Sequence, residues 1–169
     1  MIQRFLTLVA MLLLAACAKD EAPAPAEAAP DALTTATIEL HFSASPGLNP
    51  GPDGVPAPVR VRLFELKNPA TFARSDYFAL AERAQATLGA DLIDQDEVLI
   101  QPGDQLNLER TLDPATRQIG LLVGYRDVDR AQWRAVMNVP PRQRTEYQIS
   151  LDARAIRGVV AASPSSPAQ

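Results

Sequence analysis

The segment TIELHFSASPGLNPGPDGVPAPVRVRLFEL (residues 37–66) predicts two β-strands joined by a long loop. Each strand carries an apolar side chain at every second position, as expected of a strand with one buried face. These apolar positions are Ile38, Leu40 and Phe42 in the first strand and Val59, Val61 and Leu63 in the second. Phe64 and Leu66 fall on the other face of the second strand, which predicts that its far end is covered on both sides.

The loop itself, residues 45–58, is rich in glycine and proline, which interrupt both helices and strand ladders. Leu48 is an apolar residue in these polar surroundings, and Asn49-Pro50 follows it. Prolines limit the conformational freedom of a loop, so less entropy is lost when a partner fixes it. A partner-binding loop and a merely permissive surface loop are both consistent with this pattern.

The stretch after the second strand changes from strand to helical periodicity. Asn68-Pro69 ends the strand, and residues 69–73 predict one helical turn. Asp76 is placed to cap a helix over residues 77–88, and Gly89 is placed to end it. We expect the apolar face of this helix to pack on a sheet, since its polar face lacks the basic residues of membrane-surface helices.

The rest of the chain predicts short strands separated by turns, the rhythm of a β-sandwich. The predicted strands cover residues 97–101, 105–112, 119–125, 133–139, 145–151 and 156–160, the last of them at a sheet edge. The nearly all-apolar 119–125 predicts a central strand, and Gly120 and Gly124 within it predict close approach of a neighbouring element. The predicted fold class is therefore all-β, with a short helical insertion between the second and third strands.

Residues 1–17 predict a bacterial export signal that ends in a lipidation site. The apolar run over residues 5–14 is shorter than the roughly 20 residues that span a bilayer. Leu14-Ala15-Ala16-Cys17 then matches the lipobox of bacterial lipoproteins, in which the cysteine thiol is alkylated by a diacylglyceryl group. An ordinary secretory signal with a chance cysteine is the alternative, although Cys17 is the sole cysteine of the chain.

Cleavage at the lipobox divides the chain into four predicted parts. Residues 1–16 form the signal peptide, 17–36 the lipidated cysteine with a flexible Ala/Pro tether, 37–160 the sandwich domain and 161–169 a disordered tail. Ala18 occupies the position at which aspartate retains lipoproteins in the inner membrane. We therefore expect an outer-membrane protein that faces the periplasm and is held by its acyl chains.

The composition excludes several classes of function. The 169-residue chain has a formal net charge of −4 and no basic run, so nucleic acid is not expected as a partner. One histidine and one cysteine leave little material for a His-rich metal site or a Ser-His-Asp triad. His41 lies on the polar face of the first strand, where a solvated histidine is favoured over a functional one. We predict no enzymatic activity, no catalytic residues, no cofactor and no metal.

Two groups of carboxylates were the remaining candidates for chemistry. The first comprises Asp91, Asp94, Asp96 and Glu97, and the second Asp127 and Asp129. The first group lacks the glycine-containing spacing of calcium loops, which favours a solvated acidic loop between helix and strand. The second is flanked by arginines, which suggests a surface ion-pair corner. An enzyme would require carboxylates of both groups to converge in a cleft.

The order of several short motifs resembles one known family. The motifs are Leu48-Asn49-Pro50, PVRVRLFELK (58–67), DYFAL (76–80), LGADL (88–92), Pro102-Gly103, YRD (125–127) and Trp133-Arg134. Together with the lipobox and the tether, they closely resemble the type VI secretion lipoprotein family TssJ, also called SciN or VasD. The resemblance runs from Cys17 to about Leu151.

The resemblance implies a transthyretin-like two-sheet β-sandwich anchored by acylated Cys17 in the outer membrane. It also implies that the loop between the first two strands binds the periplasmic C-terminal part of TssM, and through it the TssL–TssM inner-membrane complex. The residues predicted to bind this partner are Leu48, Asn49, Pro50, Asp53 and Val55. A periplasmic carrier of small ligands is the alternative, and it requires a deep apolar pocket between the sheets.

Overall fold

The computed structural model describes residues 34–161. Its strands are β1 (Thr37–Ala44), β2 (Val59–Leu66), β3 (Leu92–Ile100), β4 (Gln105–Thr111), β5 (Gln118–Val123), β6 (Arg134–Asn138), β7 (Arg144–Leu151) and β8 (Ile156–Val160). Two helices, α1 (Ala70–Arg74) and α2 (Tyr77–Leu88), lie between β2 and β3. In the described part of the chain, no helix has the length and apolar character needed to cross a membrane. The predicted signal peptide, Cys17 and most of the predicted tether and tail fall outside it.

The strands form two four-stranded sheets with the orders β4-β1-β7-β8 and β3-β2-β5-β6. In the first sheet, β1 pairs antiparallel with β4 and parallel with β7. In the second, β5 lies between β2 and β6, as predicted for the apolar strand. The predicted all-β sandwich with a helical insertion is confirmed.

The apolar faces of the two sheets build the main core. Its buried side chains include Ile38, Leu40, Phe42, Val61, Leu63, Leu121, Tyr147 and Ile149. They occupy alternate positions of their strands, because successive side chains of a strand point to opposite faces of the sheet. The alternation in residues 37–66 therefore predicted which side chains are buried.

The helical insertion forms a second core on the outer face of the second sheet. Phe64 and Leu66 pack there with Phe72 of α1 and Leu80 of α2. This explains the two apolar side chains on the opposite face of β2. A Cβ at Gly120 of β5 would lie 2.8 Å from the ring of Phe72, so only glycine lets the helix approach this closely. The predicted close approach is confirmed here.

The ends of α2 are also as predicted. The carboxylate of Asp76 accepts a hydrogen bond of 2.9 Å from the backbone N–H of Ala79, which caps the first turn. Gly89 ends the helix with a φ of 53°, a left-handed conformation that favours glycine.

A buried ion pair joins the two sheets. The carboxylate of Glu65 on β2 is almost fully buried and accepts a 2.8 Å hydrogen bond from Nε of Arg110 on β4. Thr116 donates to the same carboxylate at 2.7 Å, and the backbone N–H of Asp113 at 3.1 Å. Because every oxygen of Glu65 has a partner, the cost of burying its charge is offset.

The acidic cluster is not the loop that the sequence suggested. Strand β3 begins at Leu92 instead of Glu97, so that Asp94, Asp96 and Glu97 lie on an edge strand. Arg110 pairs with Asp94 and Asp96, and Arg62 pairs with Glu97 at 3.1 Å. Arg62 of the adjacent strand β2 and Arg110 of β4 in the other sheet thus pair with the carboxylates, which allows a run of acidic residues to stay in the ladder.

Candidate functional site: the loop between the first two strands

The loop over residues 45–58 leaves the sandwich at the end opposite to the one where the described chain enters it. The chain enters at Thr37, whose N–H donates to the carbonyl of Gln143, and the loop begins after Ala44. Eight residues of strand separate the two ends by about 25 Å, at about 3.3 Å per residue. The start of β1 and the loop therefore lie at opposite ends of this strand.

The base of the loop is buried. Leu48 has no exposed surface and belongs to the main core. Its carbonyl accepts a 3.0 Å hydrogen bond from the N–H of Ala57, which closes the two arms of the loop on each other. The apolar residue that looked unpartnered in the sequence is therefore a core side chain.

Asn49 joins the base of the loop to two other segments. Its N–H donates to the carbonyl of Ala153 at 3.1 Å, and its Oδ1 accepts from the N–H of Arg126 at 2.8 Å. Its Nδ2 donates to the carbonyl of Pro58 at 2.9 Å. The residue is almost fully buried and has a φ of 49°, which asparagine tolerates better than most residues. Asn49 thus holds the loop to the turns that follow β5 and β7.

The tip of the loop, residues 51–55, is a turn closed by its own hydrogen bonds. The N–H of Gly51 donates to the carbonyl of Val55 at 2.9 Å, and that of Gly54 to the carbonyl of Gly51 at 2.9 Å. Oδ1 of Asp53 accepts from the N–H of Val55 at 3.1 Å. Gly54 has a φ of 77°, which a side chain would strain. The backbone of the tip is therefore ordered, although the tip residues 52–55 are exposed to solvent.

The side chains of the tip are exposed, in contrast to the base. Asp53 is exposed, and Val55 retains 57% of its surface. A Cβ at Gly51 would lie 2.7 Å from Oδ1 of Asp53 and 2.8 Å from Nη1 of Arg126, so both polar groups converge beside this glycine. The exposed tip thus presents an apolar side chain, a carboxylate and, beside Gly51, the guanidinium of Arg126.

The structure divides the five predicted partner-binding residues into two groups. Leu48 and Asn49 are buried, and their predicted role in partner binding stays a prediction. Pro50 is half-buried, and Asp53 and Val55 are exposed. The partner-binding role of the exposed residues stays a prediction, as does lipidation of Cys17, which lies outside the described residues.

Sequence reasoning missed Arg126 and Ala153 as supports of the loop. Their backbone groups contact Asn49 across 77 and 104 positions of the chain. No local pattern marks such contacts, since they depend on how the strands are ordered in the two sheets.

The surroundings of the loop base contain a buried tyrosine and an ion-pair corner. Burial, together with the charge of Asp152, raises the pKa of Tyr125 above its ordinary value. Its hydroxyl has no hydrogen-bond partner within residues 34–161. Asp127 pairs with Arg154 at 3.4 Å and with Arg130 at 3.9 Å, which bears out the ion-pair corner.

Within residues 34–161, the space between the sheets gives the ligand-carrier alternative no support. Between the sheets, beside Phe42, Val61 and Leu63, lies a cavity of about 10 Å³, which is too small for an organic ligand. Of the candidate catalytic carboxylates, Asp94 pairs with Arg110 at the edge of one sheet and Asp127 pairs with Arg154 in the corner after β5.

The chain is similar to proteins of one bacterial secretion system. The family model T6SS-SciN, described as type VI secretion lipoprotein (VasD, EvfM, TssJ), matches residues 36–154. The T6SS lipoprotein TssJ1 of Pseudomonas aeruginosa is 47% identical, with a TM-score of 0.75 over 77% of this chain and 99% of that chain. No curated protein matches the sequence.

Two structures with lower sequence identity also come from the type VI secretion system. Lip of Serratia marcescens, a membrane-bound component of the type VI secretion system, is 25% identical, with a TM-score of 0.69 over 75% of this chain and 99% of that chain. A chain of the structure described as the T6SS protein TssM C-terminal domain from EAEC is 26% identical, with a TM-score of 0.62 over 73% and 97% of the two chains. The family match covers more than half of the sequence, and the sandwich with its helical insertion is shared, so the chain belongs to the TssJ (SciN) family of type VI secretion lipoproteins.

Proposed function

We propose that this lipoprotein anchors the membrane complex of a type VI secretion system to the outer membrane and binds the periplasmic C-terminal domain of TssM through its loop tip. The observation that carries the proposal is the division of the loop into a buried base and an exposed tip, at the end of the sandwich remote from the chain entry. The similarity to a chain in the TssM C-terminal domain structure supports the choice of partner.

The anchor half of the proposal rests on the lipobox. Acylated Cys17 inserts into the periplasmic leaflet of the outer membrane, and more than one acyl chain is needed for stable attachment. The Ala/Pro-rich residues between Cys17 and Thr34 give reach, at about 3.1 Å per extended residue. Confinement at the membrane raises the local concentration of the loop near its partner.

The recognition half rests on the order of the loop tip. The internal hydrogen bonds of residues 51–55 fix the backbone before a partner arrives, which lowers the entropy lost on binding. Val55 then offers an apolar contact and Asp53 a charged one. By binding TssM, this protein connects the TssL–TssM complex of the inner membrane to the outer membrane, and this role requires no catalytic activity.

Two substitutions at the lipobox test the anchor. Cys17→Ser is expected to leave a folded protein that is not retained at the outer membrane, and secretion is expected to be lost. Ala18→Asp is the matched control, because it keeps the acylated cysteine and is expected to retain the protein in the inner membrane. Membrane fractionation and a secretion assay at normal expression are the measurements. Secretion that persists in Cys17→Ser would contradict the anchoring role.

A further inference from the structure

The outer face of the sheet β4-β1-β7-β8 brings together three side chains with metal-binding atoms. Glu39 and His41 lie two residues apart on β1, so both point to the same face. The parallel neighbour β7 places Glu146 directly beside Glu39. One ligand atom from each of the three side chains lies within 4.8 Å of the others.

The charges around these residues are not balanced. The register of the sheet aligns Glu109, Glu39 and Glu146 in one row across β4, β1 and β7. Arg144 pairs with both Glu39 and Glu109, whereas Glu146 has no ion pair among residues 34–161. Three carboxylates and one guanidinium leave two negative charges in the row, and like charges on adjacent strands destabilise a sheet. A divalent cation would balance them.

The imidazole of His41 is oriented toward the carboxylates. Its Nδ1 lies 2.9 Å from Oδ1 of Asn107, an oxygen that can only accept, which in the neutral ring places the proton on Nδ1. The lone pair is then on Nε2, which lies 3.6 Å from Oε2 of Glu39. Metal-binding histidines commonly donate their second ring nitrogen to such an oxygen, which fixes the tautomer and the ring.

We propose that Nε2 of His41 and the carboxylates of Glu39 and Glu146 form a binding site for a divalent transition metal of the Zn²⁺ class. One imidazole with two carboxylates suits zinc, whereas calcium and magnesium prefer oxygen ligands alone. Water completes the coordination on the solvent side. The site lies on the rigid pair β1–β7, and a metal bound there links the two strands and stabilises the folded state.

No local pattern in the sequence marks this site, because Glu146 lies 105 positions after His41. Only the parallel register of β1 with β7 makes them neighbours. The prediction of no metal considered only ligands near His41 along the chain, whereas Glu146 comes from the neighbouring strand β7.

The chain has a single histidine, which allows a direct test. The protein is the mature-length chain with Cys17→Ser and no histidine tag, so that His41 is its only imidazole. Its ring resonances are followed by NMR during titration with Zn²⁺, and the affinity is measured by calorimetry. One Zn²⁺ per chain, a large shift of the His41 signals and a higher melting temperature with Zn²⁺ are expected.

Substitutions distinguish Zn²⁺ binding at this site from non-specific binding of Zn²⁺ to exposed acidic groups. His41→Gln and Glu146→Gln are expected to weaken Zn²⁺ binding about tenfold or more, and Asn107→Ala about tenfold through loss of ring orientation. All three side chains lie at the surface of the sheet, so the variants are expected to fold. Glu82→Gln, an exposed carboxylate on α2, is the matched control and is expected to change nothing. Unshifted His41 signals at equimolar Zn²⁺, or equal affinities of Glu146→Gln and Glu82→Gln, would overturn the site.

Discussion

The base and the tip of the β1–β2 loop are separated by only a few residues, yet their side chains differ in burial and in hydrogen bonding. Leu48 and Asn49 at the base are packed and hydrogen-bonded as core residues are, whereas Asp53 and Val55 at the tip are open to solvent. A binding loop therefore consists here of a folded platform and a small recognition surface. Substitutions at the base are expected to act through stability, and substitutions at the tip through binding alone.

The largest expected effect belongs to the base. Leu48→Ala removes a fully buried side chain and leaves a cavity, which is expected to lower the free energy of unfolding by about 3 kcal/mol. Urea denaturation measures the change, with Val55→Ala as the matched control at the exposed tip. A loss below about 0.5 kcal/mol for Leu48→Ala would contradict the assignment of this residue to the core.

The next effect concerns the hydrogen bonds of Asn49. Asn49→Ala removes two side-chain bonds and strains a backbone with a φ of 49°, for an expected loss of about 2 kcal/mol. Asn49→Gly relieves the strain but not the lost bonds, so it separates the two contributions in the same denaturation experiment. If Asn49→Gly were as stable as the parent, the side-chain bonds would have no role in holding the loop.

The third expected effect is that of Tyr125→Phe on the free energy of unfolding, which is small at neutral pH and grows as the pH rises. Tyr125→Phe removes a buried hydroxyl that has no partner in the described chain, so stability near pH 7 is expected to change by less than about 1 kcal/mol or to rise. The raised pKa of Tyr125 means that above about pH 10 the unfolded chain loses this proton first. Stability of the parent then falls by up to about 1.4 kcal/mol per pH unit, and the Phe variant lacks this part of the loss.

Denaturation at about pH 8 and about pH 11 measures this difference. Burial also raises the pKa of Tyr147, which is present in both proteins, so its contribution cancels in the comparison. Equal losses of stability in the parent and in Tyr125→Phe would show that Tyr125 is not held in its neutral form by the fold.

Local sequence patterns predicted some elements of the fold correctly, and they failed where distant residues decide the structure. The strands β1 and β2 and the helix α2 were predicted with their bounds nearly correct, because periodicity and capping are local. The acidic stretch of β3 was misassigned since its charges are neutralised by Arg62 and Arg110, which lie elsewhere in the chain. The carboxylates that face His41 were missed for the same reason.

The loop between β1 and β2 shows most clearly that burial could not be predicted from the local sequence. From the sequence, replacing Leu48-Asn49-Pro50 by Gly-Ser-Gly is expected to weaken partner binding with little change in thermal stability. The burial of Leu48 and Asn49 reverses the second part of this expectation, because the replacement removes core contacts and the two side-chain hydrogen bonds of Asn49. A loop rich in glycine and proline gives no local sign of which residues turn inward.

The most direct test of the account is binding of TssM by a variant altered only at the tip. Asp53→Asn with Val55→Ser removes the charge and the apolar contact but keeps the Oδ1 that accepts from the N–H of residue 55. Calorimetric titration with the periplasmic C-terminal domain of TssM is expected to show affinity reduced about tenfold or more, while the free energy of unfolding changes by less than about 0.5 kcal/mol. Unchanged affinity in this correctly folded variant would contradict the claim that the tip is the recognition surface.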